Sequence, residues 1–197
     1  MEQHGIVKSL WNEDEEGERV IAYTICFIRR GNELLLLNRE KPSWMGCWNG
    51  VGGKLEPGET PLESVKREVA EETGLTDCPL LYKGLVTWTS NGAKLGGMYL
   101  YLGELPELAN YKTPVKTDEG ILDWKSLDWI LHPENKGVTS NLPVFLANML
   151  EEAGQYDYNC TYRDGNLVSH RTTPIDASTE ELAATIDYMA RAYLVRE

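Results

Sequence analysis

Three glutamates, Glu68, Glu71 and Glu72, fall within five consecutive residues directly after Arg67. Carboxylates at this spacing can act together only if a helix brings them to one side. At 100° per residue the apolar stripe of Leu62, Val65 and Val69 points one way, with Glu72 about 50° and Glu68 about 90° from its centre. Two carboxylates four residues apart repel. The one bordering the core is also desolvated, which raises its pKa or calls for a cation. A bound metal answers both problems, and an all-oxygen donor set suits Mg²⁺ or Mn²⁺, which also keep waters and substrate phosphates as ligands. The competing reading is a solvated face with Glu63–Arg67 and Arg67–Glu71 pairs.

The helix that must carry these acids is well marked over Thr60–Thr73. Thr60 caps it, Pro61 suits its first turn and Gly74 suits its exit. Upstream, Val20–Arg29 and Glu33–Arg39 read as a hairpin closed by Arg30-Gly31-Asn32, followed by a Gly- and Trp-rich loop over 43–53. Downstream, Leu80–Ser90, Met98–Leu105 and Ile121–Trp124 read as strands, with Gly96-Gly97 in the connection between the first two, and a helix is expected over Leu142–Glu152. Beyond Gly154, Tyr156–Tyr162 and Leu167–Ser169 flank Asp164-Gly165 as a further hairpin. Ser178-Thr179-Glu180-Glu181 reads as a capping box for a closing helix with Leu182, Ile186, Met189 and Tyr193 on one face. Alternating strands and helices with several hairpins predict a mixed sheet covered by helices.

Gly53, Glu59, Arg67-Glu68-Val69, Glu71-Glu72 and Gly74-Leu75 fill all nine specified positions of the Nudix box, G-x5-E-x7-R-E-U-x-E-E-x-G-U with U aliphatic. On these residues the chain resembles the Nudix hydrolases. The resemblance implies an α/β (α+β) fold, an α/β/α sandwich with a mixed sheet, and metal-dependent hydrolysis of a nucleoside diphosphate linked to another moiety. Carried onto this sequence, it implies metal ligation by Glu68, Glu71, Glu72 and the carbonyl of Gly52, with Arg67 orienting Glu59 or a neighbouring acid. Trp48-Asn49-Gly50-Val51-Gly52-Gly53-Lys54 further resembles the W-N-G-x-G-G-K segment of members that sanitise oxidised purine nucleoside triphosphates such as 8-oxo-dGTP. Asn49 is then expected to hydrogen-bond a base edge, and Lys54 or Arg39 to meet phosphate. Glu119, in Thr117-Asp118-Glu119-Gly120, resembles the family's loop acid ahead of a late strand. Glu71 and Glu119 stand as rival general bases.

The whole chain sets limits on partners. Its 197 residues carry 19 Lys and Arg against 31 Asp and Glu, a net charge of −12. That balance opposes a polymeric nucleic acid or an anionic membrane as partner. Four scattered cysteines with no C-x-x-C pair, and no apolar leader, predict a reduced, cytoplasmic setting. The expected organisation is an acidic arm over 1–19, a catalytic domain over 20–153, and a hairpin-and-helix extension over 154–197 that packs on the core or on a second subunit as a homodimer contact. The expected reaction is Mg²⁺-dependent cleavage of a nucleoside triphosphate, an oxidised purine one included, to a monophosphate and pyrophosphate. ADP-ribose, a dinucleotide or a nucleotide sugar is the alternative substrate, and a non-catalytic nucleotide sensor the alternative class.

Overall fold

A continuous apolar run such as Val20–Ile28 belongs in a strand buried on both faces, and the computed structural model places it there. Described are residues 20–92 and 94–194; the acidic arm expected over 1–19 lies outside them. The chain runs β1 (Ile21–Arg30), β2 (Glu33–Arg39), β3 (Trp48–Asn49), α1 (Pro61–Thr73), β4 (Leu80–Ser90) and β5 (Lys94–Glu104). It continues through β6 (Val115–Lys116), β7 (Gly120–Ser126), α2 (Leu127–Ile130), α3 (Leu142–Glu151), β8 (Gln155–Arg163), β9 (Asn166–Ile175) and α4 (Leu182–Met189). The strands form one mixed sheet in the order β6-β7-β2-β1-β5-β4-β8-β9, with β3 paired to β2; the β1–β5 and β4–β8 pairs are parallel.

The period of two along the strands decides which helix covers which face. Ile25 and Phe27 of β1 and Leu34 and Leu36 of β2 join a core cluster with Leu142, Phe145, Leu146 and Met149 of α3. Their alternates Cys26, Ile28, Leu35 and Leu37 join the opposite cluster with Val65 and Val69 of α1 and Met189 of α4. The result is the expected α/β/α sandwich, with α1 and α4 on one face and α2 and α3 on the other.

Two local expectations are corrected. Gly96-Gly97 lie inside β5, not in a loop. A Cβ on Gly96 would stand 2.6 Å from the Trp88 indole, and one on Gly97 would stand 2.2 Å from Ile21 Cδ1. Packing of those two side chains across the strand therefore outweighs the low strand propensity of glycine. Ser178 does not cap the closing helix: Asp176 caps a 3₁₀ turn over Ala177–Glu180, and α4 begins after Glu181 without a side-chain cap.

The hairpin β8–β9 continues the central sheet, with Gly84–Ser90 of β4 in register against Tyr156–Tyr162 of β8. A buried polar knot ties the C-terminal residues down. Asp157, 1% exposed, accepts from Thr87 Oγ1 at 2.7 Å and from the hydroxyls of Tyr188, also at 2.7 Å, and Tyr193. Burial pushes its carboxyl above the ordinary carboxylate range. Asp157→Ala leaves the Tyr188 hydroxyl and one of the mutually bonded Thr87 and Tyr193 hydroxyls without their acceptor, and a loss of about 3 kcal/mol in urea unfolding is expected. Unfolding at the wild-type midpoint would show that the knot adds nothing.

Candidate active site

α1 is fixed at both ends by its own sequence. The N–H of Glu63 donates to Thr60 Oγ1 at 3.2 Å while Thr60 N–H donates to the Glu63 carboxylate at 2.9 Å, a reciprocal capping box; Gly74 closes the helix at φ 74°. The strap leading into it runs along β1. Cys26 N–H donates to the Val51 carbonyl at 2.7 Å and Thr24 N–H to the Gly53 carbonyl at 2.9 Å, which leaves the Gly52 carbonyl between them out of the ladder. Only glycine fits at Gly52, where φ is 145° and a Cβ would stand 2.2 Å from the Thr24 carbonyl oxygen.

This close approach presses the strap against the acids of α1. Gly52 N–H donates to Glu72 Oε2 at 2.9 Å, and a Cβ on Gly53 would stand 2.4 Å from the Glu68 carboxylate. Glu72 is pushed up to about 7, chiefly by burial, with Glu68 and Glu119 raising it further against the Gly52 N–H and Arg39. Arg67 is the hub. Its guanidinium holds Glu59 through Nε at 2.7 Å and Nη2 at 3.0 Å, Glu68 through Nη1 at 2.7 Å, and the Lys54 carbonyl through Nη2 at 3.1 Å. That bidentate contact holds the Glu59 carboxyl down to about 2. Arg67 thus locks helix, strap and acids into one unit.

The structure brings Glu68, Glu72 and Gly52 together, with Arg39 and Glu119 close enough to bias Glu72. Glu71 stands apart, its side chain 60% exposed and its only role in this cluster a 3.2 Å contact with Arg67 Nη1. Glu119 is ion-paired with Lys41, a partner that sequence reasoning missed because the two lie 78 positions apart. Among the described residues, no three His, Cys, Asp or Glu side chains stand close enough to hold an ion as they are. The donor chemistry nonetheless fits a divalent cation: hard oxygens only, two partly buried carboxylates whose repulsion a cation offsets, and a carbonyl left out of the ladder.

The strap also lines a cavity of about 680 Å³, a size typical of small-molecule sites. The expected substrate contacts Arg39, Asn49 and Lys54 line it, together with Gly52 and Gly53. Asn49 is held by Thr139, whose hydroxyl donates to Asn49 Oδ1 at 3.3 Å. Trp48 packs against the core cluster of α3, with Lys125 Nζ 4.2 Å from its ring centroid. Among the described residues, no helix is long and apolar enough to cross a membrane.

Residues 18–143 match the NUDIX domain. The chain is 29% identical over 109 residues to the oxidized purine nucleoside triphosphate hydrolase of Mus musculus, covering 55% of this chain and 67% of that protein. It is 26% identical over 159 residues to the Nudix hydrolase YvcI of Bacillus subtilis (strain 168), covering 77% and 93% of the two. In structure it is similar to the MutT protein of Bacillus halodurans, with a TM-score of 0.61 and 29% identity over 76% of this chain and 95% of that one. With the box on α1, the strap against its acids and this match over most of the chain, the protein belongs to the Nudix hydrolase family, pyrophosphohydrolases that act on nucleoside diphosphate-linked substrates with the help of divalent metal.

Proposed function

We propose that this chain is a cytoplasmic, Mg²⁺-dependent pyrophosphohydrolase of nucleoside triphosphates, oxidised purine ones included, that releases a nucleoside monophosphate and pyrophosphate. The observation that carries this reading is the cavity of about 680 Å³ lined by Gly52 and Gly53, which back directly onto Glu72 and Glu68. The likeness to the mouse oxidized purine nucleoside triphosphate hydrolase supports the substrate class, and four free thiols support a reducing compartment.

Lys54 and Arg39 meet the phosphates, and Asn49 offers its amide to a base edge. Glu68, Glu72 and the Gly52 carbonyl hold Mg²⁺, for which Mn²⁺ can substitute, with Glu71 as a more exposed third carboxylate. When bound, the ion neutralises charge on the phosphoryl oxygens and acidifies water. Of the rival bases, Glu119 is favoured over Glu71, because Glu119 acts electrostatically on Glu72 while Glu71 points to solvent on Arg67. Water oxygen bonds to the α-phosphorus, its proton passes to Glu119, and the α–β anhydride bond breaks with pyrophosphate as the leaving group and the nucleoside monophosphate as the other product.

A panel of canonical and oxidised nucleoside triphosphates, dinucleotides and nucleotide sugars, scored for products with Mg²⁺, tests this. A higher kcat/KM for oxidised purine triphosphates than for their unmodified forms is expected. Equal values remove the oxidised-purine reading, turnover of ADP-ribose or dinucleotides alone replaces the substrate class, and saturable binding without product makes the chain a sensor.

A further inference from the structure

The cavity has a second wall that the Nudix match does not include. The matching residues end at 143, yet Tyr162 and Gly165, at the tip of the β8–β9 hairpin, line the cavity alongside Trp44 of the β2–β3 loop and Trp88 of β4. Their meeting is built by the topology. β8 adds to the sheet beside β4 with Tyr162 in register opposite Ser90, another cavity residue. Trp44, 38% exposed, reaches across from the opposite side until its ring centroid lies 6.5 Å from that of Tyr162 at an interplanar angle of 59°. Trp88 lies over Gly96, where a Cβ would stand 2.6 Å from the indole, so the ring spreads across β5.

The strap rests on β1, and β1, β5, β4 and β8 are successive neighbours. The strap pairs with β1 on the edge away from β5, so the strap and Tyr162 bound the cavity from opposite sides. The aromatic corner is also held in place: Tyr162 is a half-buried residue of β8, in register with Ser90 of β4. A ring fixed in this way loses little rotamer freedom when a base stacks on it.

We propose that Trp44, Trp88 and Tyr162 form a base-stacking corner in the wall of the nucleotide cavity, so that the C-terminal hairpin is a specificity element for a substrate with a planar base. This rests on the nucleotide reading above. Stacking acts on ground state and transition state alike, so its loss raises KM and leaves kcat nearly as it was.

The test uses the full-length chain, comparing Tyr162→Leu, Trp44→Leu and Tyr162→Phe with the wild type. Binding of a nucleoside monophosphate is followed by quenching of tryptophan fluorescence in a chelator, and turnover of its triphosphate is followed with Mg²⁺. Tyr162→Leu and Trp44→Leu are each expected to weaken monophosphate binding and raise KM by about tenfold, the effect of losing one base–aromatic stack, with kcat within about twofold. Tyr162→Phe keeps the ring and stays near wild type, and inhibition by inorganic triphosphate, which has no base, is equal in all four proteins. Wild-type binding and KM in Tyr162→Leu overturn the proposal, and so does an equal loss toward inorganic triphosphate. A wild type that binds the monophosphate in a Tyr162-dependent way but turns over no triphosphate overturns the proposed reaction and leaves the stacking corner standing.

Discussion

Glu68→Gln and Glu72→Gln are each expected to lower kcat/KM by about 10³-fold with Mg²⁺, a transition-state loss of about 4 kcal/mol. An amide keeps the shape and the hydrogen-bond acceptor for Gly52 N–H but carries no charge to balance a cation. Glu72→Gln should also leave the metal-free protein more stable. Glu72 ionises in a desolvated site beside Glu68 and Glu119, and its folded pKa stands at about 7 against an ordinary 4.5. A carboxyl raised in the folded state favours folding fully only below about 4.5, and that contribution is lost as pH climbs through 7. In chelator, wild-type stability should therefore fall between pH 4.5 and 7, and Glu72→Gln should lack that slope. At neutral pH the variant should gain about 2 kcal/mol, or roughly 5 °C in Tm. Thermal unfolding in chelator, set beside Mg²⁺ titrations of turnover, separates the two effects. Undiminished turnover in both variants would remove the metal assignment, and an unchanged metal-free Tm would remove the electrostatic account of Glu72.

What could be read from the sequence is what local chemistry specifies. α1 was legible in full because its cap, its Val65–Val69 stripe and its glycine exit are all set within one short segment, and the box on it named the family. Arg39, Asn49, Gly52 and Lys54 line one cavity because the strap pairs with β1 through backbone bonds that its glycines alone permit. Pairing between distant segments was not legible. Nothing near Tyr162 announces that β8 will join β4 in parallel, 72 positions away in the register, or that its ring will meet Trp44. Lys41 and Glu119 are joined only because β7 runs beside β2. Gly96-Gly97 misled for a related reason: their strand conformation is imposed by Trp88 and Ile21, which belong to other strands.

Deleting Gly154–Glu197 is expected to cost the protein its solubility while leaving every acid of the box in the chain. β4 would lose its partner over the seven register positions from Gly84 to Ser90, exposing an unpaired edge with Leu85 and Val86, both fully buried in the intact protein. Such an edge is a template for pairing between chains. The opposite face would lose Met189, which packs among Tyr82, Tyr99 and Tyr101. Tyr82 and Tyr101 would also lose hydroxyl partners, Thr179 at 3.1 Å and Glu180 at 3.1 Å. Aggregation or a higher mass by light scattering should follow, with a larger drop in Tm than in Asp157→Ala, which removes only the knot and keeps β8 on β4. A truncated chain as soluble and stable as the parent, at unchanged oligomeric state, would make the extension a tethered appendage. If part of the truncated protein stays soluble, its KM should rise as in Tyr162→Leu, because the same cut removes the wall against which the base is proposed to stack.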